Sequence, residues 1–290
     1  MKLKNFFILA LILATVNISC SKSDTGTGSA GTISEKNETN VAYGTDPLQK
    51  MDIYLPAGRT TDTTKVIILI HGGGWVSGDK SDFTSANLDT IKKRMPGYAI
   101  FNINYRLGAL PATNTFPTQE MDVKTAVEFI FGNRSTYLIS DKFVLMGASA
   151  GAHLSLLHAY KYSSPVKIKA VVDFFGPTDM VAMYNDNPAS QLAFAALLNG
   201  TPATNLSMYQ QSSPLYFVNA TNPPTIIFQG GADPLVNATT QSLALNNQLN
   251  AVGVINQYQL YPTGGHGDWD VATYTDAYNK IQAFLSANVH

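Results

Sequence analysis

Ser149 lies in a glycine-rich segment whose residue types suit a nucleophile. Residues 147–151 read Gly-Ala-Ser-Ala-Gly; they end the apolar run 142–147 and precede a helical pattern. Small residues on both sides of a serine permit a strained turn from strand to helix that lifts the hydroxyl above the sheet. The N–H groups at the start of the helix also favour negative charge that develops beside the hydroxyl. We therefore predict that Ser149 is a nucleophile.

His266 is the best candidate for the base that such a serine requires, because a serine hydroxyl is barely acidic at neutral pH. The chain has five histidines. His266 lies in the glycine-rich loop 264–267 after the last predicted strand, where its ring can point to the end of the sheet. His71 belongs to a separate glycine motif, and His153 and His158 lie on the helix that follows the serine.

Asp233 is the predicted carboxylate partner of this histidine. Such a partner holds the tautomer of the ring and stabilises the imidazolium form. Asp233 follows the apolar run 224–230, whereas its rival Asp179 follows the preceding predicted strand. Asp268 is too near His266 in sequence to be an easy partner.

Residues 71–75, His-Gly-Gly-Gly-Trp, place three glycines directly after the apolar run 66–70. Glycine leaves backbone N–H groups open to a ligand. Attack of a serine on a carbonyl creates an oxyanion, so we predict that Gly73, Gly74 and Ala150 donate N–H groups to it. His71 would anchor this loop. A phosphate-binding loop is excluded, because Asp79 follows Gly78 where that motif needs lysine.

Together these motifs resemble the esterase and lipase branch of the α/β-hydrolases, from about Val41 to the C-terminus. The group with the strongest likeness holds carboxylesterases, acetylxylan and feruloyl esterases and kynurenine formamidases. The resemblance implies a mostly parallel eight-stranded sheet with helices on both faces, hydrolysis through an acyl-enzyme, and no cofactor. The matching segments are HGGGW (71–75), YRL (105–107), GASAG (147–151), GGAD (230–233) and GHG (265–267).

The elements that must position these residues alternate between strand and helix patterns, which is typical of a mostly parallel sheet covered on both faces. Residues 51–55 alternate and predict an antiparallel edge strand. The long interval 180–222 predicts a small cap insertion. Strands are predicted at 65–70, 98–105, 142–147, 168–175, 224–230 and 255–261, and helices near 83–95, 119–134, 150–162, 238–252 and 272–287.

The N-terminus resembles a bacterial lipoprotein signal, with Lys2 and Lys4 before a short apolar stretch that leads to Cys20. An ordinary secretory signal is the alternative. We expect a signal peptide at 1–19, a lipidated Cys20 with a flexible tether at 20–40, and a catalytic domain at 41–290. This organisation predicts a protein anchored by lipid in the bacterial cell envelope, with no other contact with the membrane.

Composition excludes several other classes of protein. The chain of 290 residues is 45% hydrophobic and has a formal net charge of −1, so it predicts a globular domain without the basic surface that nucleic acids require. It contains neither an HExxH motif nor a Cys/His cluster, so we expect no metal. Cys20 is the single cysteine, which excludes an internal disulfide.

The sequence thus predicts a serine carboxylic-ester hydrolase for short-acyl esters, with a small ester or an acetylated or feruloylated carbohydrate as substrate. An amide hydrolase, such as a formamidase or peptidase, and a non-catalytic binding protein of the same fold are the alternatives. Short acyl groups are expected because Trp75 would wall the space beside the carbonyl. The predicted pocket residues are Trp75, Tyr105, Phe175, Met180 and Trp269.

Overall fold

The computed structural model describes residues 33–109 and 111–290. The predicted signal peptide and Cys20 lie outside these residues, as does the first part of the predicted tether. Eight strands form a single sheet. They are β1 (Lys36–Ala42), β2 (Lys50–Leu55), β3 (Lys65–Ile70), β4 (Tyr98–Ile103), β5 (Phe143–Ala148), β6 (Ala170–Phe174), β7 (Thr225–Gly230) and β8 (Asn256–Tyr261).

The sheet has the order β1-β2-β4-β3-β5-β6-β7-β8. β1 and β2 pair antiparallel, as do β2 and β4, and every other neighbouring pair is parallel. The predicted α/β-hydrolase fold is therefore confirmed. Gly147 near the end of β5 aligns with Ile70 on β3 and with Asp173 on β6. Because these strands run in the same direction, the loops that leave them meet at one edge of the sheet.

Nine helices accompany the sheet within the described ranges. They are α1 (Ser85–Arg94), α2 (Thr118–Gly132), α3 (Arg134–Tyr137), α4 (Ala150–Lys161), α5 (Met180–Asp186), α6 (Gln191–Leu197), α7 (Leu206–Gln211), α8 (Ala244–Ala251) and α9 (Val271–Asn288). None of these helices combines the length and the apolar character needed to cross a bilayer.

Helices cover both faces of the sheet. α1 and α9 pack on one face, where Ile91 and Ile281 join Ile67 and Val144 in a buried cluster. α2, α4 and α8 pack on the other face. The central strands are buried on both sides, which explains why β3 reads as a continuous apolar run rather than as an alternating one. Burial of each such side chain contributes ~2 kcal/mol, so these strands form a firm base for the loops at their ends.

β1 corrects two predictions. Residues 36–42 form this strand, although the tether was expected to extend to residue 40. The segment is polar and largely exposed, so it shows no apolar pattern, and its order comes from backbone pairing with β2. β1 is thus the edge strand on this side of the sheet, and the predicted edge strand β2 lies between β1 and β4. Charged side chains such as Lys36 and Glu38 suit an exposed edge, because they discourage pairing with another chain.

Candidate active site

Ser149 occupies a strained turn between β5 and α4. Its φ of 54° and ψ of −121° lie in a region that side-chain-bearing residues rarely adopt. The flanking glycines make this turn possible by close packing. A Cβ on Gly147 would lie 2.3 Å from the backbone of Gly151, and a Cβ on Gly151 would lie 2.0 Å from the carbonyl oxygen of Ile70. The turn leaves Ser149 half-buried, with its hydroxyl accessible.

The structure brings Ser149, His266 and Asp233 into one hydrogen-bonded chain. The Ser149 Oγ lies 2.9 Å from the His266 Nε2, and the His266 Nδ1 lies 2.8 Å from the Asp233 Oδ2. Since Nδ1 donates to the carboxylate, Nε2 is free to accept the serine proton. The ring of Phe175 packs against His266 at a centroid distance of 4.7 Å, which restricts how the imidazole can turn.

Asp233 is held as a carboxylate although its side chain is fully buried. Burial would raise its pKa, but the hydrogen bond from His266 and those from the N–H groups of Val236 and Leu235 hold the pKa below its ordinary value. The side-chain amide of Gln229 donates a further bond to Oδ2 at 3.1 Å. The carboxylate therefore remains charged and fixed in orientation beside the imidazole.

The rival acid Asp179 serves a different purpose. Its carboxylate accepts hydrogen bonds from the N–H groups of Val181 and Ala182, so it caps the first turn of α5. Asp268 makes no hydrogen bond to His266; its carboxylate lies against the backbone of Gly265.

The glycine loop after β3 presents free N–H groups close to Ser149. Gly73 and Gly74 have φ values of 101° and 59°, which favour glycine. No acceptor among the described residues binds the N–H groups of Gly73, Gly74 or Ala150. The loop is closed by its own carbonyls, since the N–H groups of Val76 and Ser77 both donate to the Gly73 oxygen.

Tyr105 and His71 support this loop from below. Their rings stack at a centroid distance of 4.3 Å, and the Tyr105 hydroxyl lies 3.1 and 3.0 Å from the carbonyl oxygens of His71 and Gly72. The Nδ1 of His71 lies 2.8 Å from the Gly72 oxygen. Burial lowers the pKa of His71, so its ring is neutral and structural. Tyr105 was predicted to line the pocket, but its side chain packs against the loop instead.

A buried relay connects the glycine loop to α4 and to the cap insertion. Trp75 has a φ of 65°, unusual for a large side chain, and its indole Nε1 donates to the His153 Nδ1 at 3.1 Å. The His153 Nε2 in turn donates to the carbonyl oxygen of Ser212 at 2.7 Å. Burial lowers the pKa of His153 to about 4, so the ring stays neutral and can accept the indole proton. No pattern in the sequence predicts this contact.

A chamber of about 560 Å³ opens over Ser149 and His266. Two of the predicted pocket residues, Trp75 and Phe175, line it. Met180 does not; it is the first residue of α5 and is buried in the core, and Met183 one turn later lines the chamber instead. Trp269 packs edge-on against Phe175 and donates to the Gly265 oxygen, so it supports the histidine loop from outside the chamber.

The remaining wall of the chamber comes mainly from residues that were not among the predicted pocket residues. Ala193, Phe194 and Leu197 on α6 face the chamber, and Val76 and Leu235 lie at its mouth, about half exposed. The spacing of Phe194 and Leu197 matches one face of a helix, but periodicity alone cannot show that this face covers a site. Within residues 33–109 and 111–290, no group of three or more His, Cys, Asp or Glu is arranged to hold a metal ion.

Comparisons with known proteins agree with this geometry. The chain is 26% identical over 242 residues to esterase LipC of Mycobacterium tuberculosis; the match covers 78% of this chain and 59% of LipC. Two solved structures are similar. A truncated carbohydrate esterase from gut microbiota is 26% identical with a TM-score of 0.72, covering 87% of this chain and 96% of that one. A bifunctional GH43-CE protein of Bacteroides eggerthii is 28% identical with a TM-score of 0.73, covering 87% of this chain and 35% of that one.

The chain thus spans little more than half the length of LipC, while it spans nearly all of the gut carbohydrate esterase fragment. The BD-FAE family model matches residues 51–249, well over half of the chain. This range includes the glycine loop, the serine turn and Asp233, and it stops short of His266. The protein therefore belongs to the BD-FAE family of esterase-like α/β hydrolases.

Proposed function

We propose that this protein is a serine carboxylic-ester hydrolase that acts through an acyl-enzyme. The observation that carries the proposal is the chain of contacts from Ser149 through His266 to Asp233, at 2.9 and 2.8 Å, beneath a chamber of about 560 Å³. A nucleophile, a base and an orienting carboxylate within hydrogen-bond reach are the parts that acyl transfer needs.

In the acylation half, the Ser149 Oγ attacks the ester carbonyl while its proton passes to the His266 Nε2. Asp233 stabilises the imidazolium that results. The negative charge on the former carbonyl oxygen is met by the N–H groups of Gly73, Gly74 and Ala150, which have no other acceptor among the described residues. When the tetrahedral intermediate collapses, the bond to the alcohol breaks and His266 returns the proton to the departing oxygen.

In the deacylation half, water replaces the alcohol. His266 removes a proton from water as it attacks the acyl carbonyl, and the same N–H groups stabilise the second oxyanion. Collapse returns the proton to Ser149 and releases the carboxylic acid. No step requires a cofactor.

The substrate that we propose is a short-acyl ester, with an acylated carbohydrate as the natural class. Two supports favour it. The similar solved structures include a carbohydrate esterase and a GH43-CE protein, each more than a quarter identical to this chain. The cap over the chamber is built from α5, α6 and α7, each of six or seven residues, rather than from a long amphipathic lid suited to a lipid surface.

The test of the proposal is Ser149→Ala. We expect hydrolysis of p-nitrophenyl acetate to fall by about 10³-fold or more, because the nucleophile is lost while the oxyanion donors remain. The thermal midpoint should stay near that of the wild type, since one hydroxyl in a half-buried site is removed. The variant is matched by Ser155→Ala, which removes a buried hydroxyl within α4 and should leave the rate unchanged. If Ser149→Ala kept about a tenth of the rate, the acyl-enzyme route would be wrong.

A further inference from the structure

A second cavity of about 330 Å³ adjoins the chamber over Ser149 and shares Asn187 and Leu235 with it. Five polar residues line it: Asp186, Asn187, Asn237, Thr239 and Asp233, whose side chain is itself fully buried. We call it the Asp186 pocket. Its lining contains no lysine, arginine or histidine and no aromatic ring. It therefore differs from the chamber, whose wall is formed largely by apolar side chains.

The hydrogen bonds of the pocket residues leave both acceptors and donors without a partner among the described residues. The Asp186 Oδ2 accepts from the Thr240 hydroxyl at 2.5 Å, and Oδ1 has no partner among the described residues. The Asn237 Oδ1 accepts from the N–H groups of Thr239 and Thr240, so its amide nitrogen is free to donate. The Asn187 amide nitrogen donates to the Met183 oxygen, which leaves its own oxygen free.

This combination of groups suits a ligand with several neighbouring hydroxyls. Each hydroxyl both donates and accepts, so it can pair with a carboxylate oxygen on one side and an amide nitrogen on the other. The negative charge of Asp186, with no cation in the lining, disfavours a phosphate or a uronate. The absence of an aromatic ring from the lining gives a flat apolar alcohol nothing to stack on.

The position of the catalytic histidine decides which half of the ester faces the Asp186 pocket. The departing alcohol oxygen must lie within reach of the His266 Nε2, because this nitrogen returns the proton. The pocket is built on the loop after β7 that also carries Asp233, the partner of His266. Val76, Phe194 and Leu197 also line the chamber but not the Asp186 pocket, and their apolar side chains suit the acyl group.

We propose that the Asp186 pocket binds the hydroxyl groups of a neutral sugar that forms the alcohol part of the ester. The inference rests on the proposed ester hydrolysis and goes further: it assigns the alcohol to one side of the site and names the residues that recognise it. Asp186 and Asn237 are exposed and touch none of the reacting groups, so they act on binding of the alcohol and leave the chemistry unchanged.

The experiment compares two acetyl esters that differ only in the alcohol: p-nitrophenyl acetate and a monoacetylated methyl pentoside. For Asp186→Ala and Asn237→Ala, kcat/KM on the sugar ester should fall about tenfold, mainly through KM, since a hydrogen bond to a charged or polar group is lost. On p-nitrophenyl acetate the same variants should match the wild type. Asp186→Asn keeps the acceptor for Thr240, so its kcat/KM on the sugar ester should lie between that of the wild type and that of Asp186→Ala. Asp89→Ala, an exposed carboxylate on α1, is the matched control and should change neither rate.

The outcomes separate the two proposals. Wild-type protein that hydrolyses neither ester contradicts both the ester hydrolase and the sugar pocket. If the wild type hydrolyses p-nitrophenyl acetate and the variants lower both rates equally, or lower neither, the sugar pocket is wrong and the hydrolase stands. Hydrolysis of p-nitrophenyl acetate with no activity on the sugar ester also overturns the pocket. Thermal midpoints of all variants show whether a loss reflects unfolding.

Discussion

At the scale of single residues, the three side chains proposed to do the chemistry were all predicted from the sequence. Each one follows a strand of the sheet, and parallel strands carry the residues at their ends to one edge. Their contacts at 2.9 and 2.8 Å are therefore a consequence of the alternation that the sequence displays. The structure adds most to the choice between Asp233 and Asp179. The sequence does not decide it by position, because Asp179 follows β6 and Asp233 follows the neighbouring strand β7.

The choice of acid is tested by the pair Asp233→Asn and Asp179→Asn. Asp233→Asn should lower kcat by about 10²- to 10⁴-fold, because an amide cannot hold His266 in the required tautomer or stabilise its charged form. Asp179→Asn should leave kcat within about twofold, since asparagine caps a helix nearly as well as aspartate. Both rates are measured on p-nitrophenyl acetate near neutral pH. If Asp179→Asn proved the more damaging change, Asp179 would be the acid and the observed contact of Asp233 would not report on catalysis.

At the scale of elements, the predictable parts were those that bury a regular face. The run 65–70 is apolar throughout because β3 is covered on both sides, and the pattern of residues 272–287 follows α9 closely. β1 escaped prediction because its pairing uses backbone groups that any sequence possesses. The short cap helices were not predicted either, because six or seven residues give too few turns for a periodic pattern to be recognised.

The relay from Trp75 through His153 to Ser212 links the glycine loop, α4 and the cap insertion. We therefore predict that His153 affects catalysis. His153→Leu should lower kcat by about tenfold or more, because the glycine loop loses the bond that holds Trp75 at a strained φ and the oxyanion donors shift. His153→Gln can still accept from the indole and donate to Ser212, so it should recover part of the rate. Ser155→Ala, on the same helix, is the control.

A double-mutant cycle separates this positioning role from general destabilisation. Trp75→Phe removes the same indole donor, so Trp75→Phe combined with His153→Leu should cost little more than the worse single change. The cycle is measured on kcat with p-nitrophenyl acetate, alongside thermal midpoints. Additive losses in kcat would mean that the two residues act separately, and the relay would then have no part in positioning the loop.

At the scale of the whole molecule, the substrate site was the least predictable feature. Phe175 and Trp75 were found because they adjoin the motifs, while Tyr105, Met180 and Trp269 have similar local surroundings in sequence and yet face the core or the loops. The wall that matters most comes from α6, far along the chain from the serine turn. Which face of α6 covers the chamber depends on how the insertion folds over the sheet, and local patterns carry no information about that packing.

Acyl chain length gives the test at this scale. Because the chamber of about 560 Å³ must hold the alcohol as well as the acyl group, kcat/KM for p-nitrophenyl esters from acetyl to palmitoyl should peak below octanoyl. Each methylene that finds an apolar channel would add up to ~0.8 kcal/mol, so the profile reports directly on the room available. A preference for longer acyl chains is the competing outcome. An apolar groove of about 320 Å³ that shares Val76 and Leu197 with the chamber could hold such a chain.

The two outcomes are distinguished by Thr113→Trp, which fills this groove from its far side without touching the chamber. If short acyl groups are preferred, the variant should match the wild type at every chain length measured below the aggregation limit of the ester. A wild-type maximum at octanoyl or beyond, abolished by Thr113→Trp, would show that the acyl chain runs into the groove. The short-acyl proposal would then be wrong. Ester hydrolysis through Ser149 and the side of the site assigned to the alcohol would both be retained, because neither His266 nor any residue of the Asp186 pocket lines the groove.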